Sequence, residues 1–109
     1  MRKAKVLFKD KFAGILSEDE EGFHFRYDKE YLKSDKPQSI SLTLPLRTKV
    51  YDNNILHPFF DGLIPEGWLL DIAEKNWKIN SRDRMELLLA CCKDCIGAVS
   101  VEPLETKEL

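Results

Sequence analysis

Three short segments with strand-like patterning occupy the start of the chain and constrain its fold more than any other feature. Residues 3–8 and 12–18 are rich in strand-forming side chains, and residues 23–27 alternate strictly between apolar and polar side chains. This alternation places three aromatic rings on one face, at Phe23, Phe25 and Tyr27. We therefore predict a three-stranded antiparallel meander with one buried face.

The opposite face of the third segment carries polar side chains. His24 and Arg26 alternate with the aromatic residues. The sequence places no acid or nucleophile where it would work with His24, so we interpret it as a solvated strand residue rather than a catalytic base.

The middle of the chain combines a short helix, a strand and turns. Residues 28–33 have the composition of a helical turn, and residues 51–54 are rich in Asp and Asn, which is typical of a turn. Residues 40–46 alternate again and predict a strand that Pro45 either ends or places at an edge of the sheet, because proline supplies no N–H to a sheet. The inward side chains of this strand would be Ile40, Leu42 and Leu44.

Residues 57–77 contain both tryptophans and two of the six phenylalanines. Residues 58–60 suit a helical turn that Gly62 can end in a left-handed conformation. Pro65 is a typical first residue of a helix, and the spacing that follows predicts a core-facing stripe. The members of this stripe are Leu69, Ile72, Ala73 and Asn76.

A last helix and a closing strand complete the predicted fold. Ser81 is placed to cap the helix, and Asp83 adds negative charge to its first turn. Its buried stripe would comprise Met85, Leu88, Leu89 and Cys92. With a strand at residues 98–101, we predict one α+β domain over residues 1–109. In it, a small antiparallel sheet, the meander plus the closing strand, packs with two to three helices from the C-terminal half.

Composition argues against several classes of function. The net charge is −2, so the chain has no basic excess for direct nucleic-acid binding. No apolar run reaches the ~20 residues of a membrane helix, and no export signal precedes the first strand. The three cysteines, Cys91, Cys92 and Cys95, form no disulfide framework and have no nearby histidine for zinc. We therefore expect a cytoplasmic protein with reduced thiols and no metal.

The sequence contains no motif that indicates catalysis. Its five glycines fit no phosphate-binding loop, and its serines lie in no nucleophile-elbow context. Cys95 follows a lysine and an aspartate but has no histidine near it to activate the thiol. We predict that the chain is not an enzyme and holds no cofactor.

Trp68 is the best candidate for a residue that contacts a partner. A helical residue turns ~100° per position, so Trp68 points away from the apolar stripe, towards Asp71 and Lys75. The Pro-Glu-Gly run before it should hold the first turn firmly. The alternative is that both tryptophans belong to the core. A rigid, exposed indole is a typical anchor of a protein interface.

The same segments resemble a known family, the N-terminal subdomain of HipA-like serine/threonine kinases. The resemblance covers nearly the whole chain, in a shared order of a Pro-Leu strand end, a Phe-Phe segment and a final helix that leads to a closing strand. The matching positions are Pro45, Leu46, Tyr51, Phe59, Phe60, Leu63, Pro65, Glu66, Gly67, Asp94, Gly97, Ala98 and Val99.

The resemblance has one important departure, because the HipA-like kinases continue into a catalytic region that this sequence lacks. The chain is then either a fragment of such a kinase or a HipS-like antitoxin of a split, HipBST-type toxin–antitoxin system, which we favour. The resemblance to the split type implies a kinase toxin as partner, with a helix-turn-helix repressor as a further member of the complex. It does not imply membrane association.

The expected kinase contacts lie between Phe59 and Trp68 and just beyond. Trp68 would enter the active-site cleft of the kinase, and two acidic side chains would meet basic residues there. The full set of expected partner-binding residues is Phe59, Phe60, Glu66, Trp68 and Asp71. The rival hypothesis is a non-inhibitory assembly module that links the kinase to the repressor.

Overall fold

The computed structural model describes residues 2–64, 83–91 and 98–104, which form one antiparallel sheet and three helices. The order of strands across the sheet is β4-β3-β2-β1-β5. The strands are β1 (Arg2–Phe8), β2 (Lys11–Asp19), β3 (Gly22–Tyr27), β4 (Tyr51–Asn53) and β5 (Val99–Pro103). The helices are α1 (Lys29–Lys33), α2 (Pro58–Asp61) and α3 (Arg84–Cys91). The predicted α+β fold class is confirmed.

The predicted meander is present, and its hairpins follow from local backbone chemistry. Lys9 and Asp10 connect β1 to β2, and both have positive φ angles, +51° and +69°. Two such residues between antiparallel strands are the geometry of a two-residue hairpin, because it matches the right-handed twist of the strands. The closing strand β5 then pairs with β1 on the far side of the meander.

The core lies on one face of the sheet, where the helices and the loop after α1 cover it. Phe25 and Tyr27 are buried as the alternation predicted, while Phe23 is only partly buried. The rings of Phe25 and Tyr27 lie edge to face with centroids 4.9 Å apart, an arrangement that aromatic pairs favour. The loop and helices cover this face with Tyr31, Ile40, Leu44, Leu56, Phe60, Ile64, Met85, Leu87 and Leu88.

The predicted strand at residues 40–46 is wrong. Residues 41–44 form a turn closed by an isolated bridge, and Leu42 at its tip is 97% exposed. The reason is local, since the Ser41 hydroxyl accepts the Thr43 backbone N–H at 3.1 Å and so stabilises the turn. Ile40 and Leu44 do face the core, so two of the three side chains that were predicted to face inward are buried.

The predicted turn at residues 51–54 is also wrong over most of its length, because residues 51–53 form the edge strand β4. The ring of Tyr51 stacks on that of Phe25, and the guanidinium of Arg47 covers it at 3.6 Å. Asx-rich composition favours a turn locally, but packing of Tyr51 on the sheet overrides it. Gly22 permits this pairing, since its φ is +129° and a Cβ there would collide with the Asn53 carbonyl.

The ends of the helices differ in detail from the predictions. Gly62 follows α2 with φ −70° and ψ −13°, which is right-handed, so the predicted left-handed cap is wrong. Asp83 lies just before α3, and its carboxylate accepts the Glu86 N–H at 3.2 Å, as an N-cap residue does. Ser81, the predicted cap, lies outside the described residues, as do Cys92 and the helix predicted from Pro65.

The predicted buried stripe of the last helix is confirmed in part. Met85 and Leu88 are fully buried, and Leu89 packs against the core while partly exposed. Leu87 is also fully buried and was missing from the predicted stripe. Its burial means that α3 packs with a wider face than one row of side chains.

Candidate functional site

The described part of the predicted partner-binding segment is α2 with the residues beside it. His57 caps this helix, because its Nδ1 atom accepts the N–H of Phe59 at 3.0 Å. Burial lowers the pKa of His57, which favours the neutral ring that this acceptor role requires. Pro58 occupies the first turn, where its missing N–H costs nothing.

The two phenylalanines of the segment have different surroundings. Phe60 is 0% exposed, and its ring lies 5.5 Å from that of Phe25 and 5.2 Å from that of Phe59, measured between centroids. Phe59 packs against the core but is only partly buried. Of this pair, Phe59 therefore offers surface to a partner, while Phe60 fixes the helix to the sheet.

The other expected contacts are not part of the described chain. Glu66, Trp68 and Asp71 lie outside it, and so does Trp77. The direction of the Trp68 indole and its part in binding stay predictions.

The described residues do fix the two points between which Trp68 lies in sequence. Ile64, the last described residue before it, is only 3% exposed and its N–H donates to the Asp61 carbonyl at 3.2 Å. Asp83, the first described residue after it, accepts two hydrogen bonds from the guanidinium of Arg2, at 2.9 and 2.8 Å. Ile64 and Asp83 are thus both attached to the body of the domain.

Ion pairs join the start of α3 to the end of α2 and to the sheet. The Arg84 Nε atom lies 2.6 Å from a carboxylate oxygen of Asp61, which links the start of α3 to the end of α2. Arg2 also donates from Nε to Glu18 on β2 at 2.6 Å. Its hydrogen bonds to Asp83 lower the pKa of that carboxyl group, since they favour the charged form.

A second polar cluster, on the outer face of the sheet, was missed by the sequence analysis. The Nδ1 atom of His24 lies 2.5 Å from an Asp52 carboxylate oxygen, and its Nε2 atom lies 2.9 Å from one of Asp19. His24 is on the polar face as predicted, but two acids do contact it. The contact with Asp52 exists because β4 pairs with β3, whereas residues 51–54 were predicted to be a turn.

The outer face also carries an open cleft of about 430 Å³. It is lined by Lys3, Ile15, Ser17, Asp19, His24, Arg26, Val50 and Asp52. In the described part of the chain, no group of three or more His, Cys, Asp or Glu side chains is arranged to hold a metal ion. Nor does any helix of that part have the length and apolarity to cross a membrane.

Large apolar side chains reach the surface at a few described positions. Leu42 is 97% exposed and Ile55, two residues after β4, is 69% exposed. Neither lies in the predicted partner-binding segment. Single exposed apolar residues are common on proteins, so these two mark no site without a further observation.

Comparison with known proteins agrees with the resemblance seen in the sequence. A family model described as "HipA N-terminal domain" matches residues 4–102. A solved structure described as "N-terminal domain of HipA toxin" superposes with a TM-score of 0.76 at 29% identity, covering 98% of this chain and 96% of that one.

A protein of Haemophilus influenzae, described only as uncharacterized, is 32% identical over 102 residues. The aligned region spans 94% of this chain and 92% of the relative. Because the family model matches nearly the whole sequence, the chain belongs to the HipA N-terminal domain family.

Proposed function

We propose that this protein is an antitoxin that binds a separate HipA-like serine/threonine kinase and inhibits it. In this proposal, residues 59–68 lie against the active-site cleft of the kinase, and Trp68 blocks the cleft. The observation that carries the proposal is the match of residues 4–102 to the HipA N-terminal domain. Family membership indicates a role associated with HipA toxin–antitoxin systems.

A domain of this family is by itself a non-catalytic part of HipA proteins. Its contribution is therefore expected to come through binding. The Haemophilus influenzae relative supports the view that this domain functions as a protein separate from the kinase, because 92% of the relative's length aligns with this chain. That relative has little sequence beyond the domain itself.

The described residues on either side of Trp68 in sequence belong to the body of the domain. Ile64 is buried in the core and Asp83 is paired with Arg2. We propose that Glu66 and Asp71 contact basic residues of the kinase, and that Phe59 contributes apolar surface beside them.

A second candidate function is a non-inhibitory module that links the kinase to a helix-turn-helix repressor. This alternative rests on the same family membership, and the exposed Leu42 and Ile55 do not by themselves favour it. The two functions differ in what they predict for kinase activity. The antitoxin lowers it on binding, and the module leaves it unchanged.

The test is to measure kinase autophosphorylation and binding with the wild-type chain and with Trp68→Ala. Truncating an interface tryptophan often costs about 2 kcal/mol, so Kd should rise about thirtyfold and inhibition should be lost. Leu42→Ser is the matched control, since it removes an exposed apolar side chain outside the segment and should inhibit like wild type.

The outcome decides between the candidates. Binding of the wild-type chain without any loss of kinase activity contradicts the antitoxin and favours the assembly module. Full inhibition by a correctly folded Trp68→Ala variant contradicts the role given to Trp68. Circular dichroism of both variants checks that each retains the wild-type fold.

A further inference from the structure

The cluster on the outer face has a geometry that fixes the charge of its histidine. We call His24, Asp19 and Asp52 the His24 clamp. Each ring nitrogen of His24 faces a carboxylate oxygen, at 2.5 Å for Asp52 and 2.9 Å for Asp19. An ionised carboxylate only accepts hydrogen bonds, so both nitrogens must carry a proton. The geometry therefore favours the imidazolium form of the ring.

The clamp joins three different strands. Asp19 is the last residue of β2, His24 is in β3, and Asp52 is the middle residue of β4. Since β4 has three residues and lies at the edge of the sheet, it has few backbone hydrogen bonds to hold it. The charged contact at its centre therefore adds to the backbone pairing that holds it to β3.

We propose that the His24 clamp makes the pairing of β4 with β3 depend on pH. The edge strand is held firmly while His24 is an imidazolium, and it loosens when the ring loses its proton. A neutral ring donates from one nitrogen only, so one of the two carboxylates must then face a lone pair.

Other charged groups face His24 from neighbouring elements. Lys3 of β1 and Arg26 of β3 line the same cleft and oppose an imidazolium, whereas Asp19 and Asp52 touch the ring. His57 lines a small gap beside His24, and burial lowers the pKa of His57, which favours its neutral form. Direct contact outweighs more distant charges in water, because screening weakens the latter.

The direction of titration follows from the contacts. The hydrogen bonds that His24 donates to Asp19 and to Asp52, in that order of size, raise its pKa above the ordinary value of 6.5. The stabilisation is therefore complete below about pH 6.5 and is lost as pH rises through the higher value of the folded state. The clamp thus opens at a pH above the ordinary pKa of histidine.

Part of β4 is held by contacts that do not titrate near neutral pH. The Tyr51 ring stacks on Phe25, and its hydroxyl donates to the Pro45 carbonyl. These contacts keep the strand close to the sheet when the clamp opens. The expected change is consequently a loosening of the β3–β4 pairing, with the rest of the sheet unaffected.

The test is amide hydrogen exchange of the whole chain by NMR between about pH 6 and about pH 9, divided by the intrinsic exchange rate at each pH. Protection along the β3–β4 ladder should fall about three- to tenfold, with a midpoint equal to the measured pKa of the His24 ring. Protection along the β1–β2 ladder should stay constant. Equal protection of the β3–β4 ladder at both pH values would overturn the proposal.

Variants separate the clamp from other titrations. His24→Gln cannot carry charge, so its β3–β4 ladder should be weakly protected at every pH. Asp52→Ala should behave in the same way, because it removes the contact to β4 itself. Asp19→Asn should keep the transition but move it to lower pH.

The matched control is the second histidine of the chain. His57→Asn keeps a side chain that caps helices well, and its pH profile should equal that of the wild type. A drop in β3–β4 protection that persists in His24→Gln would assign the effect to another group and refute the clamp. A transition that disappears in His57→Asn would do the same.

Discussion

At the scale of single residues, Tyr27 shows how one hydroxyl group can join the sheet to a loop. Its oxygen donates to the Leu44 carbonyl and accepts the Ile40 N–H at 3.0 Å, and the side chain is 1% exposed. Burial raises the pKa of Tyr27 to about 12, so the group remains a neutral donor at any ordinary pH. The turn that carries Leu42 is attached to β3 at this point.

Removing that hydroxyl should destabilise the protein. Tyr27→Phe leaves the buried Ile40 N–H without its acceptor, and an unsatisfied buried donor costs about 1–3 kcal/mol. The free energy of unfolding, measured by urea titration, should fall by this amount. Tyr31→Phe is the control, because the Tyr31 hydroxyl donates one bond, to the Gln38 carbonyl, and accepts no N–H of the described backbone. A loss no greater in Tyr27→Phe than in Tyr31→Phe would contradict this role.

At the scale of elements, α3 is held to the sheet at its first turn. Asp83 caps this helix and also pairs with Arg2, so a single carboxylate serves both the helix and the strand. Arg84 extends the attachment to α2 through Asp61. Three elements that are distant in sequence therefore meet at the N-terminus of α3.

Asp83→Asn should weaken this attachment, by about 1 kcal/mol or more, since it removes the charge while keeping the capping oxygen. The contribution of Asp83 is complete above its ordinary pKa near 4 and is lost as pH falls through the lower value of the folded state. Wild-type stability should therefore decline more steeply than that of the variant below about pH 4. Urea titrations at a series of acidic pH values measure this difference.

The control for this prediction is Asp35→Asn. Asp35 is exposed in the loop after α1, and a surface substitution there should change stability by no more than about 0.5 kcal/mol. An Asp83→Asn variant with the same acid profile as wild type would contradict the linkage.

At the scale of the whole molecule, charge balance governs what the free chain can bind. The sequence has 17 basic and 19 acidic residues. Affinity for duplex DNA depends on neutralising phosphates, and a chain without a basic excess has few uncompensated positive charges with which to do so. This balance argues against direct binding of duplex DNA by the free chain.

We therefore expect no measurable binding of the free chain to a DNA duplex at about 100 mM salt, as followed by fluorescence anisotropy. A paired variant, Glu20→Lys with Glu21→Lys, replaces two exposed acids by bases and serves as a reference for weak electrostatic binding. Tight, salt-dependent binding by the wild-type chain would contradict this expectation.

The sequence predicted the sheet well where local pattern and tertiary packing agree. The meander and the closing strand were confirmed because their alternating side chains do face a core. The strand predicted at residues 40–46 is wrong because Ser41 and Thr43 make hydrogen bonds that close a turn. At residues 51–53 the structure has a strand where the sequence predicted a turn. The contacts of Tyr51 and Asp52 with β3, which stabilise this strand, depend on residues far away in sequence.

The candidate site was predictable only in part. Pattern identified Phe59 and Phe60 together, but their separation into a surface residue and a core residue depends on how α2 lies on Phe25. The partners of His24 could not be derived from spacing, because Asp52 reaches it through strand pairing across 28 positions. The parts of the site that involve Glu66, Trp68 and Asp71 stay predictions.

The short β4 strand affects how readily another molecule could extend the sheet at high protein concentration. At this edge a neighbouring chain could pair with only three residues, and the Asp52 side chain at their centre is charged and 65% exposed. At the other edge, β5 ends in Pro103, which lacks a backbone N–H. Both borders are poor templates for amyloid-like stacking. The protein should thus tolerate high local concentration, and recognition should proceed through side chains rather than strand exchange.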